Sequence, residues 1–213
     1  GLLIWRSLTQ WFGGMGIIML GMMILSRVIG GGMALARAEL TGPSLSRLRP
    51  KLKQTAFALW GLYLFLTLME FLMLYFSGSM NLFDAVNHSL TTMPSGGFST
   101  HDASIGFYDS FLVESIIIIF MFLAGVNFTL LWFIRDGDFK RAFGDEEFRN
   151  YVVYITVAIL AVFVALVASG TSAGRSLRDS MFQVISIGTS TGYTSTDYMD
   201  ASWPLVTHLI LFI

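Results

Sequence analysis

The chain has 213 residues, of which 54% are hydrophobic and only 13% are charged, and its formal net charge is −1. A nearly neutral chain gives no electrostatic basis for nucleic acid binding, and the absence of cysteine excludes disulfide frameworks and thiolate metal sites. The apolar residues form blocks close to the ~20 residues that a helix needs to cross a bilayer. Composition therefore predicts an integral membrane protein in contact with lipid.

Five apolar segments predict membrane helices, because a backbone in contact with lipid must satisfy its own hydrogen bonds. They cover approximately residues 1–29, 55–76, 111–134 and 151–168, and a fifth begins near Trp203. The sequence opens inside the first segment without a methionine and ends inside the fifth, in PLVTHLILFI. We therefore expect the chain to be a piece of a longer protein.

The connections between these segments differ in charge. Residues 27–53 and 135–149 are rich in Lys and Arg, whereas residues 77–110 contain neither and residues 169–202 contain only two Arg. The positive-inside rule then places the two basic connections in the cytoplasm and the other two outside. Binding of anionic lipid is the ordinary interpretation of these basic connections, and it is the one that we favour for them.

The outer connection after the second segment is not simply polar. Its stretch MNLFDAVNHSLTTM (80–93) predicts a short amphipathic helix, which is too short to cross the bilayer. The helix is followed by PSGGFSTHD (94–102), where Pro94 would end it. Non-helical backbone at membrane depth is tolerated only where protein buries it or water wets it. A re-entrant element is the structure that this pattern favours.

The sequence repeats itself after 95 residues without gaps, so that residues 83–102 fall on residues 178–197. The repeating unit is a span, a short helix, a loop rich in glycine and hydroxyl groups, and a second span. Repeats of this kind are a feature of transport proteins, and their common orientation argues against an inverted-repeat carrier. The matched pairs are Asp84 with Asp179, Ser95 with Ser190, Gly97 with Gly192, Phe98 with Tyr193 and Asp102 with Asp197.

The loops have the composition expected of a backbone ion site. Carbonyl oxygens can replace the water around an alkali cation without adding charge, so that the ion binds and still leaves. A narrow path lined by carbonyls needs unusual backbone angles, which Gly97 and Gly192 would allow. The carbonyl end of each preceding helix also favours a cation. An ordinary turn is the alternative, and it is less consistent with two copies in one register.

At these residues the chain resembles the Trk/Ktr/HKT superfamily of potassium transporters, and the bacterial TrkH-type subunits most closely. The stretches that carry the resemblance are WRSLTQWFGGMGI (5–17), GGFSTHDASIG (96–106), GVNF (125–128), DEEFR (145–149) and TSTGYTSTDY (189–198). The potassium-channel signature TVGYG is present only in reduced form, with Gly97 and Gly192 as its retained first glycine.

The resemblance implies an all-α integral membrane protein of repeated span–pore helix–filter loop–span units, potassium-channel-like and pseudo-fourfold in the full protein. Residues 1–53 would hold the second span of repeat one and a cytoplasmic loop, residues 54–134 repeat two, and residues 135–213 a cytoplasmic loop and a truncated repeat three. One filter strand and its K⁺ site would consist of Ser95, Gly96, Gly97 and Phe98, and the next of Ser190, Thr191, Gly192 and Tyr193.

The family also implies partners and a location. Its members form homodimers on a cytoplasmic ring of nucleotide-binding regulatory subunits, and they lie in the cytoplasmic (inner) membrane with the filter loops on the outer side. The basic connections would face that ring. The sequence contains no nucleotide-binding spacing, because GGG at 30–32 fits neither a Walker nor a dinucleotide motif. The chain is thus expected to have no cofactor, with K⁺ only as the transported ion.

Three functions remain open at this stage. The first is potassium uptake through a carbonyl-lined filter, and the second is a Na⁺-permeable or Na⁺-coupled transporter of the same superfamily. The third is a membrane scaffold or an intramembrane enzyme, which would need a catalytic pair facing one cavity. No nucleophile–base pair or pair of catalytic carboxylates stands out, so the chain is predicted not to be an enzyme.

Overall fold

The computed structural model describes residues 1–14, 16, 48–127, 130, 137–138, 140, 143–199 and 203–211. These residues form helices joined by turns and irregular segments, and no strand occurs among them. The helices are α1 (residues 2–14), α2 (Leu48–Phe76), α3 (Leu82–Thr92), α4 (Phe111–Gly125), α5 (Glu146–Ala168), α6 (Ala173–Gly188) and α7 (Leu205–Leu211), with a 3-10 helix at Ser104–Tyr108.

Two helices in the described part of the chain have the length and composition to cross a membrane, at Phe57–Phe76 and Glu146–Ala168. Large apolar side chains line their outer faces, and Phe57 and Val164 are 78% and 62% exposed. Such faces need an apolar solvent, which lipid supplies. The shorter helix α4 is also strongly apolar.

Helix bounds differ from the predicted spans in two places. α2 begins at Leu48 instead of near Thr55, because Pro50 lies in its first turn, where a missing N–H costs nothing. α4 ends at Gly125, whereas the predicted segment continues to residue 134, because Val126 has extended backbone angles. Residues 17–47, which include most of the first basic connection, lie outside the described residues. Most of residues 128–142, which include the start of the second basic connection, also lie outside them.

The predicted short helix at 80–93 is confirmed as α3. Asn81 begins it, since the Asn81 side chain accepts a hydrogen bond from the Asp84 backbone N–H at 2.8 Å. α6 is its counterpart in the second half of the chain and ends one residue later in the 95-residue register, at Gly188. Most of the buried side chains of both helices are polar.

The two short helices lie at the centre of the described structure. α2 packs against α3 and α4, and α5 packs against α6 and α7. α4 also contacts α6 and so joins the two halves. The core between them includes Tyr63, Phe182 and Tyr193, all of which are fully or almost fully buried. The loops that follow α3 and α6 are therefore held on a rigid support.

Candidate functional site

The loops after α3 and α6 have the same unusual backbone. Ser95 and Ser190 have φ angles of 55° and 59°, and Gly97 and Gly192 have φ angles of 62° and 86°. Side chains disfavour this left-handed region, so two serines and two glycines in it at matching positions require a common constraint. The 95-residue repeat is thus present in the backbone geometry as well as in the sequence.

In the first loop, the constraint comes from the last turn of α3. The backbone N–H groups of Gly96 and Gly97 both donate to the Thr91 carbonyl oxygen, at 2.8 and 3.2 Å. The Thr91 hydroxyl donates to the Phe98 carbonyl oxygen at 2.9 Å. One residue therefore satisfies two backbone donors and one acceptor of the loop.

The second loop has the same bonds from α6. The backbone N–H groups of Thr191 and Gly192 donate to the Ser186 carbonyl oxygen at 2.9 and 3.1 Å. The Ser186 hydroxyl donates to the Tyr193 carbonyl oxygen at 2.6 Å. Ser186 stands in the register of Thr91, so the pattern is conserved between the two halves down to the individual bond.

These bonds leave a defined set of carbonyl oxygens available. Hydroxyl groups already occupy the carbonyls of Phe98 and Tyr193, and the Gly96 carbonyl accepts a long bond of 3.4 Å from the Gln10 side chain. Unpaired carbonyls in such a setting need another partner, and a dehydrated cation is a suitable one. Within the described structure, no hydrogen bond reaches the carbonyl oxygens of Ser95, Gly97, Ser190, Thr191 and Gly192.

The two loops touch each other. A Cβ atom on Gly97 would overlap the Thr191 carbonyl oxygen, so only glycine permits this approach. Gly192 has no neighbour within 4 Å of the place where a Cβ would lie. The predicted site residues of the two halves are thus brought together, with Gly97 at the point of contact.

Helix α1 supports the first loop from the other side. The Arg6 guanidinium donates to the Ser99 carbonyl oxygen at 2.9 Å and lies 4.5 Å from the centroid of the Phe98 ring. The Ser7 hydroxyl donates to the Asn87 side-chain oxygen at 2.8 Å, which ties α1 to α3. Phe98 itself remains 45% exposed.

The matching aromatic residue of the second loop is fully buried. The Tyr193 hydroxyl lies 2.6 Å from the Thr91 hydroxyl and donates to the His88 carbonyl oxygen at 3.2 Å. Tyr193 thereby anchors the second loop on the helix that carries the first loop. Its burial requires these bonds, because a phenol without a partner is costly inside a protein.

The matched acids of the two short helices, Asp84 and Asp179, have different partners. Asp84 accepts hydrogen bonds from the Thr100 hydroxyl at 2.6 Å and from His101 at 3.2 Å. Burial acts to raise the pKa of Asp84, but these hydrogen bonds outweigh it and hold the pKa below its usual value. Asp179 pairs instead with Arg175 on its own helix, at 3.0 Å.

Sequence reasoning missed the two hydroxyl residues that shape the loops. Thr91 and Ser186 fall on each other in the 95-residue register, and the shared hydroxyl was the signal that could have identified them. In the described residues no three His, Cys, Asp or Glu side chains converge on a metal site. Backbone oxygens therefore remain the donor set that could hold a cation here.

The whole chain matches a known protein family. The model of the family described as "TrkH: Cation transport protein" covers residues 1–213. The chain belongs to the TrkH family. This family consists of transport proteins, in agreement with the prediction that the chain is not an enzyme.

Curated members of the TrkH family are similar to the chain over almost all of its length. The Trk system potassium uptake protein TrkH of Escherichia coli (strain K12) is 41% identical over 99% of the chain and 44% of that relative. TrkG of the same organism, also described as a Trk system potassium uptake protein, is 34% identical over 99% of the chain and 43% of that relative. The chain thus spans less than half the length of the relatives that it matches.

A solved TrkH structure has the same fold. The crystal structure of the potassium transporter TrkH from Vibrio parahaemolyticus matches 99% of the chain and 42% of that protein, with a TM-score of 0.81 and 35% identity. The helical membrane-transporter fold of the TrkH family is therefore the fold of this chain.

Proposed function

We propose that the chain carries part of a potassium-uptake pore, in which the loops at 95–98 and 190–193 are two strands of one selectivity filter. The observation that carries the proposal is the matched backbone of the two loops, which meet at Gly97 and Thr191 and keep unpaired carbonyl oxygens. Relatives named as potassium uptake proteins support K⁺ as the transported ion.

The chemistry follows from the available oxygens. A cation that enters the filter exchanges its water for neutral carbonyl dipoles, and the partial negative charge at the ends of α3 and α6 adds to their attraction. Because no formal charge holds the ion, it can leave toward the cytoplasm. Phe98 and Tyr193 would support the filter through the packing of their aromatic rings more than through their carbonyl oxygens, because hydroxyl groups already donate to those oxygens.

The domain organisation follows from the same assignment. Residues 1–53 would supply the second span of one repeat, residues 54–134 a complete second repeat, and residues 135–213 most of a third. A full pore of four such repeats would take its remaining two filter strands from outside these residues. Both filter loops would face outward from the cytoplasmic membrane, since the basic connections favour the inner side.

Partner proteins are part of the proposal. A homodimer of the pore protein on a cytoplasmic ring of nucleotide-binding subunits would use the inner face. The relatives are named as proteins of a Trk system, which supports the proposal that the protein acts within a complex.

Transport by the complete protein in proteoliposomes tests the proposed function. Rb⁺ and Na⁺ uptake would be compared between wild type, Gly97→Ser and Gly192→Ser. Gly78→Ser is the matched control, because Gly78 also has a positive φ of 73°, has open space around it and lies outside both loops. We expect wild type and the control to prefer Rb⁺, and each filter variant to lose that preference.

Two results would contradict the proposal. If both filter variants transport and select as wild type does, the loops are ordinary turns. If wild type moves Na⁺ as readily as Rb⁺ while the filter variants still alter transport, the pore assignment stands and the Na⁺-permeable alternative replaces potassium uptake.

A further inference from the structure

The segment that follows the first loop contacts the second loop. The 3-10 helix Ser104–Tyr108 begins with Ser104 in the left-handed region, at a φ of 53°, and its N–H donates to the His101 carbonyl oxygen at 3.0 Å. Ile105 is fully buried and anchors the segment in the core. The segment is therefore fixed at a position from which it can act on its neighbours.

Both backbone groups of Thr194 bind this segment. The Thr194 N–H donates to the Ser104 hydroxyl oxygen at 3.2 Å, and the Thr194 carbonyl oxygen accepts from the Gly106 N–H at 3.1 Å. A Cβ atom on Gly106 would lie 2.6 Å from the Ser195 carbonyl oxygen, so the approach requires glycine. Thr194 comes directly after Tyr193, at the outer end of the second loop.

The inner end of that loop is already held by α6, through the bonds of Ser186 to Thr191, Gly192 and Tyr193. Ser186 holds the carbonyl side of the Tyr193–Thr194 peptide, whereas Ser104 holds its N–H side and Gly106 holds the following carbonyl of Thr194. Without the bonds from Ser104 and Gly106, Thr194 could shift, and the carbonyls before it would change their spacing. Selectivity depends on the number and position of such carbonyls, so the outer attachment has a direct consequence for the ion.

We propose that Ser104 and Gly106 are positioning residues for ion selectivity, because they fix the outer end of the second filter loop through Thr194. We call the contact of Ser104 and Gly106 with Thr194 the latch. This inference rests on the proposed function, and it adds residues from outside both filter loops. The latch links the two halves of the chain, because the segment after one loop determines the position of the next.

Of the two repeated halves of the sequence, one has the residues that form this latch. In the 95-residue register, Ser104 falls on Met199 and Gly106 falls on Ala201, which offer neither a hydroxyl group nor a position without a Cβ. The conformation of Ser104 also favours a role for its hydroxyl. A serine at positive φ is strained where glycine would not be, and the bond to Thr194 is the compensation that the structure provides.

Ser104→Gly is the decisive variant, because it removes the hydroxyl and relieves the backbone strain in one change. In the complete protein, we expect the ratio of Rb⁺ to Na⁺ uptake to fall about two- to tenfold, the range that one lost neutral hydrogen bond predicts. The apparent melting temperature in detergent should stay unchanged or rise. General structural damage would lower both quantities together.

Three further variants complete the test. Gly106→Ala should reduce selectivity in the same direction, since its Cβ would push the Ser195 carbonyl away. Ser104→Asn should recover part of the wild-type ratio, because Asn tolerates positive φ and offers a side-chain acceptor. Ser79→Ala is the control, since Ser79 is an exposed serine outside the segment and should match wild type.

The outcomes separate this inference from the proposed function. If Gly97→Ser and Gly192→Ser abolish selectivity while Ser104→Gly and Gly106→Ala keep the wild-type ratio, the latch is overturned and the filter stands. If none of the four variants changes the ratio, both proposals fail. A lower ratio in Ser104→Gly with partial recovery in Ser104→Asn supports the latch.

Discussion

The two loops proposed as filter strands have matching backbone conformations and differ in what surrounds them. Both have positive φ angles at matching positions, and both are held by a hydroxyl residue in the last turn of a short helix. Tyr193 is nevertheless fully buried and bonded to α3, whereas Phe98 is half-exposed beneath Arg6. The comparison teaches that the helix end and the glycine determine the shape of the loop, while the aromatic residue determines what the loop is attached to.

Among matched substitutions in the two loops, the largest difference in effect on transport is expected at the two glycines. Gly97→Ala adds a Cβ that overlaps the Thr191 carbonyl oxygen, whereas Gly192→Ala meets only open space. Both changes also carry backbone strain, of about 1–2 kcal/mol for an L-residue in the left-handed region. We expect Gly97→Ala to abolish Rb⁺ selectivity and Gly192→Ala to reduce it about tenfold, the factor equivalent to that strain.

Uptake assays on both alanine variants check this ranking, with Gly170→Ala as a control. Gly170 has a φ of 94° and open space around it, in a turn away from the filter. Equal losses at Gly97 and Gly192 would show that backbone angle alone matters and that the contact between the loops does not.

An intermediate difference in the effect on Rb⁺ selectivity is expected at the matched aromatic residues. Tyr193→Phe removes the hydroxyl that lies 2.6 Å from Thr91, and the net loss of such a bond is about 0.5–1.5 kcal/mol. Rb⁺ selectivity should therefore fall about two- to tenfold. Phe98→Tyr adds a hydroxyl to a half-exposed ring and should leave selectivity unchanged. A larger effect at Phe98 than at Tyr193 would reverse the proposed attachment of the two loops.

The smallest difference in selectivity is expected at the acids, where the effect falls on stability instead. Asp84→Asn weakens buried hydrogen bonds to a charged group, worth about 1.5–3 kcal/mol each, whereas the partner of Asp179 is a half-exposed arginine in a pair worth about 0–1 kcal/mol. Apparent melting temperatures in detergent should thus drop more for Asp84→Asn than for Asp179→Asn.

The pH dependence sharpens that prediction. Because the pKa of Asp84 is held below its usual value, its ionised form stabilises the folded protein above the unfolded-state pKa of about 3.9. This contribution is lost as the pH falls through the folded-state pKa. The gap in melting temperature between wild type and Asp84→Asn should therefore narrow in acid, and a gap that widens would contradict the assignment.

Sequence reasoning identified the elements that depend on local pattern. The short helix at 80–93 was predictable from its amphipathic pattern and Pro94, and the loop pair from the 95-residue repeat. Both are confirmed as structural features, because a helix end followed by glycine specifies a turn without help from distant residues.

Features that depend on contacts between distant residues were not predictable. The end of α4 at Gly125 reflects close packing, since a Cβ there would lie 2.6 Å from the Tyr151 hydroxyl and 2.9 Å from the Thr189 methyl group. The contrast between Phe98 and Tyr193 depends on which helix each ring meets, although the repeat presents them as equivalent. The contact of Ser104 with Thr194 joins segments 90 residues apart and left no local signal.

The central claim is that the carbonyl oxygens of the two loops bind the transported cation. The most direct test is anomalous scattering from Rb⁺ in crystals of the complete protein. We expect Rb⁺ between the loops, in contact with carbonyl oxygens of residues 95–97 and 190–192. Rb⁺ bound elsewhere in a functional protein, with no peak at these loops, would contradict the claim.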